Sequence, residues 1–78
     1  MDKEGTERVL ELLAMTEGHV ARGERHIARQ HEIIAELTRD GHDITRAEAL
    51  LAAFEQTQRL HVADRDRLKK ELNDASRT

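Results

Sequence analysis

Between Leu37 and Glu48 the chain closes one helix and opens another, and this constrains its fold more than any other feature of its 78 residues. The segment reads Leu37-Thr38-Arg39-Asp40-Gly41-His42-Asp43-Ile44-Thr45-Arg46-Ala47-Glu48. Gly41 can take the left-handed conformation that ends a helix, free of any Cβ penalty. Arg39 then lies beside the last carbonyls, where a cation complements the helix dipole. Thr45 and Glu48 have capping-box spacing, with the hydroxyl of one available to the backbone N–H of the other and the carboxylate available in return. Such a cap typically contributes ~1 kcal/mol. Asp43 is the competing N-cap, two residues earlier. A stop and a start this close together predict an antiparallel helical hairpin.

The flanking segments support helices. Charged residues make up 37% of the chain, alanine, leucine, glutamate and arginine dominate, and there is no proline, which is the composition of long helices and coiled coils. One stripe in alternating steps of four and three runs through Val9, Leu13, Thr16, Val20, Gly23, Ile27, Gln30, Ile34 and Leu37. This is a heptad seam, apolar at every second position. A parallel line one residue behind reads Leu12, His19, His26, Ile33. Thr6 is the expected N-cap, and Gly18 is read as a tolerated surface glycine, with a break there giving a three-helix protein as its alternative. Gly23, on the seam, is expected to allow close approach of another side chain.

The second seam is Ala47, Leu51, Phe54, Gln58, His61, Arg65, Leu68, Leu72, flanked by Leu50, Ala53, Thr57 and Leu60. The pairs Glu55/Arg59, Asp66/Lys70 and Arg67/Glu71 place opposite charges four apart. The fold expected is all-α: a helix over about 6–39, a turn at 40–44, a helix over about 45–72, and frayed ends at 1–5 and 73–78. The 78 residues form a single domain.

Folding the chain about residues 42 and 43 sets Ile27 by Gln58, Gly23 by His61 or Val62, and Val20 by Arg65. The middle of the hairpin then holds a polar layer of Gln30, Gln58, His61 and Arg65, able to fix register because a slip would bury unpaired donors. His61 is read as a hydrogen-bonded polar seam residue, with a pH-responsive role as its alternative. Two helices can bury only one face each. Two hairpins are therefore expected to pair into a four-helix bundle. The candidate dimer seam is Leu12, His19, His26, Ile33, Leu50 and Leu60. Neither a parallel nor an antiparallel arrangement of the two hairpins follows from the sequence.

Several chemistries lack their residues. There is no cysteine, so neither a thiolate nor a Cys-ligated metal is available. His31-Glu32-Ile33-Ile34-Ala35 starts like the zinc-protease helix, but Ala35 stands where the second histidine belongs. The Glu-x-x-His pairs of di-iron bundles are absent, since Thr16, Gly23, Ala28 and Gln58 precede the relevant histidines by three. His19 and His26 are two turns apart, too far for one ion unless a partner chain contributes. The sole serine, Ser76, is in the tail, and no glycine-rich phosphate loop occurs. Arg65, Arg67, Lys69 and Lys70 are interleaved with Asp64, Asp66 and Glu71, the net charge is −3, and one aromatic residue gives no stacking platform. A nucleic-acid partner is disfavoured. No apolar run is long enough to span a membrane.

The segments Gly23-Glu24-Arg25-His26-Ile27-Ala28-Arg29-Gln30, Leu37 through Asp43, Ala49-Leu50-Leu51 and Phe54-Glu55-Gln56-Thr57-Gln58 together resemble a group of short helical alphaproteobacterial (rhizobial-type) proteins of unknown function. The resemblance covers about residues 17–72. It implies a bacterial, cytoplasmic origin, and it brings no activity, cofactor or catalytic residue. The function expected is a non-enzymatic protein–protein interaction module acting as a homodimer, with a further protein partner possible. Two alternatives stand beside it: a metal- or small-ligand-binding bundle using Gln30, Gln58 and His61, and a weak nucleic-acid-associated accessory factor. Catalytic residues, metal ligands and cofactors are not assigned.

Overall fold

In the computed structural model, which describes residues 2–77, the chain is two helices, α1 (Lys3–Arg39) and α2 (Thr45–Ser76), packed antiparallel. The hairpin is a rod of 59 × 15 × 14 Å. Among the described residues no helix is long and apolar enough to cross a membrane.

Both seams lie where the heptad pattern put them. Every seam position on α1 and α2 is buried or half-buried, while most positions between are exposed. The core is nevertheless thin. Val9, Val20, Leu68 and Gln30 are buried, and no described side chain is completely enclosed. Two helices offer each other one stripe, and the rest of each cylinder faces solvent.

The helix ends run further than expected. Helix α1 starts at Lys3 because Asp2, not Thr6, is the N-cap, accepting from the Gly5 backbone N–H at 2.6 Å. The Thr6 hydroxyl sits inside the first turns and donates to the Asp2 carbonyl. Helix α2 continues to Ser76, past the expected end at Leu72, with a Lys70–Asp74 pair at 2.7 Å spanning its last turns. Met1 and Thr78, expected to fray, lie outside the described residues. Gly18 leaves α1 continuous, as expected. Of the expected charge pairs, Arg67–Glu71 forms at 3.0 Å. Asp66 is held by Arg65 and Lys70 by Asp74, while Glu55 and Arg59 make no ion pair among the described residues.

The turn closes as its glycine dictates. Gly41 has φ +76°, with its N–H donating to the Thr38 carbonyl and the His42 N–H to the Leu37 carbonyl, which is the Schellman pattern. The Thr45/Glu48 capping box does not form. Thr45 is already helical, so the Glu48 N–H donates to the Ile44 carbonyl at 2.8 Å and needs no hydroxyl. Asp43, the competing cap, does the work. Its carboxylate accepts from the Thr45 hydroxyl at 2.7 Å and from the Thr45 N–H at 2.9 Å. The hydroxyl first, and the N–H second, hold the Asp43 carboxyl below its ordinary range.

The register differs from the expected one by about a turn. Gly23 faces Gln58 rather than His61 or Val62, and His61 faces His19. Counting outward from a symmetric turn assumed that both helices begin level. The connector instead lets α2 start about one turn below the top of α1, and the two helices finish nearly level at the open end. Val20 and Arg65 still line one groove, as expected, because a long side chain leans toward the N-terminus of its own helix.

Candidate functional site

Two glutamines stitch the helices together. Gln58 donates through Nε2 to the Val20 carbonyl at 2.9 Å, and Gln30 donates through Nε2 to the Ala47 carbonyl at 2.9 Å. Both carbonyls belong to helices, so each accepts a cross-helix bond on a second lone pair. The Gln58 carboxamide lies where a β-carbon at position 23 would be, and its Oε1 is buried with no hydrogen-bond partner. Glycine at 23 is what lets that side chain in.

The expected single polar layer is therefore resolved into separate parts. Gln30 and Gln58 engage opposite backbones and do not bond to each other. His61 stacks on His19, with ring centroids 4.9 Å apart and planes at 25°, in place of the expected hydrogen bond to a glutamine. Arg65 lies on the other side of the hairpin, bonded to Asp66 at 3.2 Å.

Above Gly23 the surface opens into a groove of about 300 Å³. The His19–His61 stack closes one end. His26 and Phe54, with centroids 5.7 Å apart, stand at the other. Gly23 and Gln58 form the floor, Thr57 is exposed at its edge, and Arg22 stands on the rim with Nη2 2.7 Å from His19 Nδ1. No carboxylate lines it. Six of these positions (His19, Arg22, His26, Phe54, Thr57, His61) lie off or at the edge of the seam on one side, which identifies one flank of the rod.

That flank is also the apolar one. Leu12 and Met15 stand seven residues before His19 and Arg22, and Leu50 seven before Thr57, so all three project to the same side. Leu12, Met15, Leu50 and Leu60 are 44%, 59%, 46% and 64% exposed. Of the six expected dimer-seam residues, Leu12, His26, Leu50 and Leu60 are exposed in the hairpin, and His19 and Ile33 are half-buried. The opposite flank is charged: Glu17 and Glu24 of α1 share a groove with Arg65 and Lys69 of α2.

No family, curated protein or solved structure matches the chain. Its chemistry is therefore read from its own residues. Among the described residues, no three His, Cys, Asp or Glu side chains converge as a metal set would. Arg22, three imidazoles and a hydroxyl surround this open groove, and bare leucines flank it.

Sequence reasoning missed the Gly23–Gln58 unit and the His19–His61 stack. A signal existed for the first: a glycine on one seam requires a long side chain on the other to fill its space. The sequence could not say which, because residues one turn apart on α2 were equally eligible.

Proposed function

We propose that the chain is a non-enzymatic protein–protein interaction module that works as a homodimeric helical bundle. The observation that carries this reading is surface. The hairpin exposes 5964 Å² for a mass of 8.9 kDa. A globular monomer of that mass exposes about 4,800 Å². Its radius of gyration, 17.6 Å, compares with about 11.5 Å for a compact chain of this length. Bringing two copies down to the surface of a globular protein of twice the mass would bury roughly 3,900 Å² in total, within the range of permanent dimers. The bare leucines of one flank supply apolar area for that burial.

Sedimentation equilibrium at micromolar concentration tests the reading. A dimer is expected, and a folded monomer with full helical circular dichroism would overturn it. Capture from lysate with and without nuclease then separates a protein partner from a nucleic-acid one.

A further inference from the structure

We infer that two copies pair antiparallel through the flank carrying Leu12, His19, His26 and Ile33, about a two-fold axis that crosses the rod at the level of Arg22 and Gly23. This rests on the homodimer reading and adds its geometry.

The argument comes from what each arrangement brings together. The flank has apolar side chains toward both ends, Leu12 and Met15 at one and Ile33 and Leu50 at the other, with the histidine-lined groove between. A two-fold axis across its middle sets Leu12 against Ile33 of the second copy and Met15 near Leu50 and Arg29 of the second copy, twice over. The heptad spacing is kept throughout, because His19 then meets His26 of the second copy one repeat further on. The ends match in charge as well, with Arg8 brought to Glu36 of the second copy and Glu71 to its Arg46. The middle brings Arg22 near its own mate, a like-charge contact that salt screens.

The parallel alternative has its axis along the rod. It places α1 of one copy against α2 of the other at equal height. The register of the hairpin, in which His19 meets His61 and His26 meets Phe54, then sets Leu12 level with Leu68, Met15 with Arg65 and Ile33 with Ala47. Leu68 is buried within its own hairpin and Ala47 is small and half-buried, so Leu12 and Ile33 would find little exposed apolar surface to cover, and Met15 would meet a charged residue. The opposite flank is a poorer surface for a second copy, since Glu17, Glu24, Arg65 and Lys69 already share a groove there.

The chain has no cysteine, so introduced thiols report cleanly. A Leu12→Cys/Ile33→Cys double variant is treated with a short bismaleimide. The two thiols of one chain are about 31 Å apart along α1, beyond the linker's reach. Covalent dimer is expected at least about tenfold faster than from either single variant, because only the dimer holds the thiols at high effective concentration. A His19→Cys/His26→Cys variant repeats the test one layer inward. Two outcomes would overturn the geometry. One is efficient linkage in a mixture of Leu12→Cys and Arg67→Cys chains, the parallel signature. The other is a sedimentation-proven dimer in which neither double variant links. Absence of any dimer by sedimentation would instead remove the homodimer reading itself.

Discussion

The carboxamide of Gln58 fills the space that a β-carbon on residue 23 would occupy, so Gly23 and Gln58 form one packing unit across the hairpin. Glycine inside a helix ordinarily costs roughly 1 kcal/mol against alanine. Here that cost is tied to a cross-helix hydrogen bond and to the register it fixes.

Gly18→Ala and Gly23→Ala should therefore diverge. A β-carbon at 18 meets only the Arg22 guanidinium, at 3.4 Å, so Gly18→Ala should stabilise by about 0.5–1 kcal/mol. Gly23→Ala must push the Gln58 carboxamide off the Val20 carbonyl, losing about 0.5–1.5 kcal/mol, and should gain nothing net. In a Gln58→Ala background the helix gain should return. Thermal unfolding of the four variants measures this coupling directly, and additivity of the two substitutions would refute it.

Gln30 offers a second test. It is 5% exposed and donates to the Ala47 carbonyl. Gln30→Ala removes the bond and leaves a void, and should destabilise by about 2–3 kcal/mol. Gln30→Leu restores volume, and the Ala47 carbonyl keeps its helical partner, so the loss should stay within about 1 kcal/mol. Urea titration of both variants distinguishes a hydrogen-bond role from a packing role.

Asp43 makes folding acid-sensitive in a defined sense. Its carboxyl is held below its ordinary range by the Thr45 hydroxyl and N–H. A depressed folded-state value means the contribution is complete above the unfolded-state carboxylate range and fades as pH falls through the folded-state value. Asp43→Asn should flatten that acid limb and leave stability near pH 7 little changed, because its carbonyl oxygen can still accept from Thr45. An acid limb identical in both proteins would show that the turn carboxylate contributes nothing to it.

Leucines of similar exposure should behave differently by flank. Leu50→Lys should raise the dimer dissociation constant roughly a hundredfold, since each dimer loses the burial twice. Leu10 is 51% exposed but lies seven residues before Glu17, on the charged flank. Leu10→Lys should change the constant by no more than about twofold. Equal effects in sedimentation would mean that the two flanks are not distinguished by the interface.

The sequence by itself determined the two helices, the glycine-closed turn and the identity of both seams. These depend on local chemistry and on a repeat of three and four that any helix must obey. It misplaced the first cap and ranked Thr45 ahead of its competitor Asp43 at the second, because Thr6 and Thr45 have hydroxyls that donate as readily as they accept, and the nearby aspartates Asp2 and Asp43 make stronger acceptors. Register was beyond it. Sliding one helix a turn along the other keeps every seam residue on the seam, so periodicity cannot choose between the positions. The choice was made by three-dimensional fit: the carboxamide of Gln58 in the space above Gly23, Gln30 on the Ala47 carbonyl, and the ring of His61 on that of His19. Only that register gathers His19, Arg22 and His26 with Phe54 and Thr57 around one groove on the apolar flank.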